Sequence, residues 1–130
     1  MIGLDTNVLV RFLVQDDAGQ ARRAAACIAR LTEAEPGFVA REVVLELVWV
    51  LAKAYQYDRP QITSALQGLL AAVEIELEDS AVLGAVLELY ANYGYDFADL
   101  MIRQVGIVRG TRQMVTFDEQ AVQLDGVTLL

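Results

Sequence analysis

Four acidic residues occur in surroundings where solvation alone does not explain a carboxylate: Asp5, Glu46, Asp99 and Asp118. Asp5 follows the apolar run Met1-Ile2-Gly3-Leu4, and ligands of open parallel sheets bind beyond the carboxyl ends of strands. Glu46 sits within Val43-Val44-Leu45-Glu46-Leu47-Val48-Trp49-Val50, where nearly every neighbour belongs in a core. A buried carboxylate without a partner costs several kcal/mol, so Glu46 is expected to meet a cation, a proton or a water-filled cleft. Asp99 stands three residues after Asp96 at a helix start, and Asp118 follows the strand-like Met114-Val115-Thr116-Phe117. Each has a local alternative. Asp5 and Asp118 can cap the turns after them, Glu46 can pair with Lys53, and Asp96 and Asp99 can complement a helix dipole, with Arg103 four residues beyond Asp99. Taken together, acids at strand ends and in an apolar helix are expected to share one cleft, where they would repel and raise one another's pKa. A hard divalent cation resolves that conflict. Oxygen donors in a chain with no His and one Cys point to Mg2+ or Mn2+ rather than zinc. Such an ion activates water and neutralises charge on a phosphodiester.

The elements that must position these acids alternate between short aliphatic runs and longer helical ones, which predicts a parallel sheet covered by helices. Strands are expected at residues 1–5, 38–40, 73–77, 113–116 and 127–130. Helices are expected at 7–14, 18–34, 42–55, 59–72, 80–92 and 97–108, with Asp16-Asp17, Asp58, Asp79 and Asp96 as caps and Gly110 as a stop. The 42–55 helix is apolar on most sides and is read as largely buried, Trp49 included.

The chain has 130 residues, 55% of them hydrophobic and 22% charged, which suits one domain over 1–130. Its mean hydropathy of +0.37 is high. Yet its longest apolar runs span about ten residues, half of a membrane-crossing helix, so the surplus apolar surface is expected to meet another protein chain. Cys27, alone among alanines, forms no intrachain disulfide and is read as packing. With the acid so early in Met1-Ile2-Gly3-Leu4-Asp5, a reducing cytoplasm is the expected setting. The absence of His removes Ser-His and Cys-His catalysis. The net charge of −8 is opposite in sign to that of most nucleic-acid binders.

Leu4-Asp5-Thr6-Asn7-Val8-Leu9 resembles the opening of PIN domains, especially VapC-type toxins. Glu42-Val43-Val44-Leu45-Glu46-Leu47-Val48-Trp49-Val50-Leu51 is similar to that family's E-L-x-W-V-L helix. Asp96-Phe97-Ala98-Asp99-Leu100-Met101-Ile102 is similar to its D-F-A-D-A-L-I segment, with Leu100 and Met101 replacing Ala-Leu. Val115-Thr116-Phe117-Asp118 followed by Gly126-Val127-Thr128-Leu129-Leu130 resembles its closing strand pair. The resemblance implies a three-layer α/β/α sandwich around a mainly parallel sheet. It implies Asp5, Glu46, Asp99 and Asp118 as metal-binding catalytic acids, with Thr6, Asp96 and Thr116 as polar groups around them. It further implies hydrolysis of RNA with one or two Mg2+ or Mn2+ ions, a homodimer, and inhibition by a cognate antitoxin. The ions would offset much of the negative charge, leaving Arg11, Arg22, Arg23, Arg103, Arg109 and Arg112 for phosphates.

Other classes fit less well. A phosphoaspartyl receiver needs an acid pair after its first strand and a Lys near its end, whereas Asp5 stands alone and the sole lysine is Lys53. A haloacid-type phosphatase needs an Asp where Asn7 stands. A module of the same fold that binds RNA or a protein without cutting remains the alternative.

Overall fold

Every strand pairing in the protein is parallel. The structure, a computed structural model, describes residues 1–130. They divide into two compact units, Met1–Ser80 and Ala81–Leu130. The α/β class with parallel strands expected from the sequence is the one observed.

In the first unit β1 (Ile2–Gly3), β2 (Gly37–Val39) and β3 (Ile75–Leu77) form a sheet in that order, with Gly3 opposite Phe38 and Phe38 opposite Glu76. Between strands run α1 (Thr6–Val14), α2 (Ala18–Ala29), α3 (Arg41–Ala54) and α4 (Arg59–Ala71). α1 packs on α2 and α3, and Leu9, Val10, Leu47, Leu51, Ile62 and Leu66 are almost wholly buried. At Gly37 a Cβ would lie 2.8 Å from the Cδ1 atoms of Leu31 and Leu4, so a side chain there would force those two leucines to shift. Arg11, at the last turn of α1, donates to Asp16 Oδ1 and to the Tyr55 hydroxyl, which itself donates to Asp16 Oδ2. The Tyr55 hydroxyl is the main reason the Asp16 carboxyl titrates below its usual range.

The second unit contains most of α5 (Ser80–Asn92), then α6 (Phe97–Val108), β4 (Met114–Thr116), a 3-10 turn (Ala121–Gln123) and β5 (Val127–Leu129). β4 and β5 pair in parallel, Met114 opposite Val127. Val82, Leu83, Val86, Leu87 and Tyr90 of α5 and Phe97, Leu100 and Met101 of α6 are buried. Gly110, at φ +87°, stops α6 as expected.

Three expectations need correction. The helix expected over 18–34 ends at Ala29; the Thr32 hydroxyl accepts the Glu35 N–H at 3.0 Å and closes a turn instead. Asp79 does not cap the next helix: it adopts φ +55° and accepts a hydrogen bond from Arg41 Nη1 at 2.8 Å. The third concerns α3. Its buried residues are Val44, Leu47, Val48 and Leu51, one stripe at helical spacing. Glu42, Glu46, Trp49 and Lys53 fall on the opposite side and are exposed, Trp49 at 63%.

Thr63 of α4 is 7% exposed, and its hydroxyl has no hydrogen-bond partner. Thr63→Val keeps the shape and removes the orphan group, so it is expected to stabilise the fold by about 1 kcal/mol. Calorimetry should show Tm rising by about 3–5 °C; a fall would mean that the hydroxyl is satisfied.

Candidate active site

Asp5 is the N-cap of α1: its Oδ1 accepts the Thr6 N–H at 2.8 Å, and its backbone is extended as a cap requires. The carboxylate is exposed where β1 gives way to α1, while the Thr6 side chain beneath it is buried. Glu46 also belongs to this first unit. It is exposed rather than buried, and forms no ion pair with Lys53. The cation that burial would have demanded is therefore not demanded by burial. Solvent on the outer face of α3 accounts for this carboxylate in the structure as it stands.

The second unit brings three acids to one pocket of about 610 Å3, lined by Tyr93, Tyr95, Asp96, Asp99, Asp118 and Gln120, among others. Asp96 caps α6 by accepting the Asp99 N–H at 3.2 Å, which puts Asp99 in the first turn beside it. Asp118 is fixed from both sides. Its N–H donates to Thr116 Oγ1 at 3.0 Å, and its Oδ1 accepts the N–H groups of Gln120 at 2.8 Å and Ala121 at 3.4 Å. Thr116 thus holds Asp118, and Asp118 closes the turn after β4 as a local cap would. Arg103 offers Asp99 no relief, because its Nε donates to the Asp125 carbonyl oxygen at 2.7 Å.

Partial burial pushes the Asp99 carboxyl above its ordinary range, and the charges of Asp96 and then Asp118 push it further in the same direction. No Lys or Arg lines the pocket. An all-oxygen, base-free set of carboxylates has the donor chemistry of a hard divalent cation. The side chains are not drawn together as ligands, since no three His, Cys, Asp or Glu residues form a group that could hold an ion.

A family model described as the PIN domain matches residues 2–127. The chain belongs to the PIN-domain family. Members of that family are generally nucleases, and they usually use divalent metals. Comparison with the curated proteins found no match. Of the arginines expected to face phosphate in this PIN domain, Arg22, Arg23, Arg109 and Arg112 are exposed. Arg11 is committed to Asp16 and Tyr55, and Arg103 to Asp125. No helix is long and apolar enough to cross a membrane.

Gln120 and Gln123, also on the pocket lining, carry no signal in the sequence beyond polarity. Tyr93 and Tyr95 flank Gly94 just before the Asp96 cap, a pattern equally suited to packing at a helix end.

Proposed function

We propose that this PIN domain, a single domain over the whole chain, is an Mg2+- or Mn2+-dependent endoribonuclease that hydrolyses RNA phosphodiesters. We further propose that it is the toxin of a toxin–antitoxin pair, acting in the cytoplasm as a homodimer until its antitoxin neutralises it. Asp5, Glu46, Asp99 and Asp118 would hold the metal, with Thr6, Asp96 and Thr116 supporting them. The observation that carries the reading is Asp99, a partly buried acid among like charges, in a pocket without a base, in a family of nucleases. A bound divalent ion would activate water and offset the phosphodiester charge. For their part, the turn after β4 keeps Asp118 in one orientation, and the Asp96 cap keeps Asp99 at the start of α6. Exposed apolar side chains support a protein partner, among them Trp49 at 63%, Ile102 at 57% and Val108 at 65%.

A second reading, a PIN-fold module that binds RNA or protein without cutting, is favoured by one observation: the carboxylates do not already form a metal-holding group. Incubating purified, antitoxin-free protein with a panel of structured RNAs and Mn2+ separates the two. The nuclease reading expects cleavage that EDTA abolishes and that Asp5→Asn lacks. Equal cleavage by the variant would indicate a contaminating nuclease, and no cleavage across the panel would favour the binding module.

A further inference from the structure

The acidic pocket is lined by an exposed aromatic ring, that of Tyr93, for which neither the core nor the carboxylates account. Tyr90 is buried edge-on against Phe97, with ring centroids 5.4 Å apart and planes at 89°. Tyr93, three residues later, lines the pocket beside Asp96, Asp99 and Asp118 and is 57% exposed. Its ring lies 6.0 Å from that of Tyr95, tilted by 42°, so it is braced on one side and leaves apolar surface in water. The same pocket carries the exposed side chains of Gln120 and Gln123, each offering an amide donor and an acceptor. A lining of acids, amides and a ring, with no Lys or Arg, repels a bare phosphate. It suits a flat, neutral group with a π face and a mixed hydrogen-bonding edge, which describes a nucleobase.

We propose that Tyr93 is a base-stacking platform at this pocket, with Gln120 and Gln123 at the base edge, so that an unpaired base of the RNA lies over the Tyr93 ring. The inference deepens the nuclease reading and rests on it. In a duplex the base is already stacked and paired, and extracting it costs a few kcal/mol.

The test uses a short single-stranded oligoribonucleotide carrying 2-aminopurine, whose fluorescence is quenched on stacking, titrated with the protein in Ca2+. Wild type and Tyr93→Phe are expected to quench it with similar affinity. Tyr93→Ala should bind about tenfold to a hundredfold more weakly, the usual loss when one base–aromatic stack is removed. The same strand annealed to its complement should bind at least tenfold more weakly to wild type. In Mn2+, Tyr93→Ala should raise KM by a similar factor with little change in kcat. The inference is overturned if wild type gives no quench, if Tyr93→Ala binds as wild type does, or if duplex and single strand bind alike. It is overturned too if Tyr93 governs binding of a protein but not of RNA. The nuclease reading fails by a different result, undiminished cleavage by Asp99→Asn, so the two failures are distinct.

Discussion

Asp99→Asn is expected to abolish most RNA cleavage at saturating Mn2+, by about a hundredfold to ten-thousandfold, measured as single-turnover rate. Loss of one carboxylate from a divalent site removes several kcal/mol of stabilisation of charge developing on the phosphodiester. The same substitution is expected to do the opposite to the metal-free fold. Asp99 titrates above its ordinary range, first through burial and then through the charges of Asp96 and Asp118. An acid whose folded pKa is raised binds more protons folded than unfolded between the two values, so stability declines as pH rises through that window. The neutral amide is free of the burial and like-charge repulsion that act on the ionised carboxyl, so metal-free Asp99→Asn should melt above wild type. Adding Mn2+ should raise the wild-type Tm and leave the variant nearly unchanged. A variant that is both inactive and less stable without metal would mean that Asp99 holds the fold rather than an ion.

The second large effect separates the two faces of α3. Leu47 is fully buried, and Leu47→Ala leaves a cavity that costs about 2–5 kcal/mol. Thermal unfolding should show Tm falling by about 6–25 °C. Its neighbour Glu46 is exposed on the other face, so Glu46→Gln should leave stability within about 0.5 kcal/mol of wild type. Cleavage should nonetheless fall, because the carboxylate would be serving the metal and not the fold. If Glu46→Gln destabilised the protein as Leu47→Ala does, the face assignment of α3 would be wrong.

α3 also marks where sequence reading stops short. Val-Val-Leu-Glu-Leu-Val-Trp-Val is so apolar that Glu46 and Trp49 read as buried. The helical period admits to the core only the stripe of Val44, Leu47, Val48 and Leu51. Local composition outweighed phase. By contrast, the caps at Asp5, Asp58 and Asp96 were legible, because a short acidic side chain before an apolar helix has one dominant use. Asp79 looked the same and is not a cap, since its partner Arg41 lies 38 residues away and local pattern cannot reveal it. α2 ends early for a related reason. Its alanines carry no stop signal before Pro36, while the Thr32 hydroxyl diverts the backbone sooner. Within the candidate site, the positions of Asp99 and Asp118 were legible from motif and strand end. Their shared pocket, with Tyr93 and Gln120 on its lining, depends on how the turn after β4 meets the start of α6.

Mn2+ binding by the proposed ligands Asp5, Glu46, Asp99 and Asp118 is tested by titrating the purified protein with Mn2+ and following free ion by electron paramagnetic resonance. The expected result is saturable binding by wild type that is lost, not merely weakened, in Asp5→Asn and Asp99→Asn alike. Binding left intact by both substitutions, or no saturable binding by wild type, would mean that these acids hold no ion.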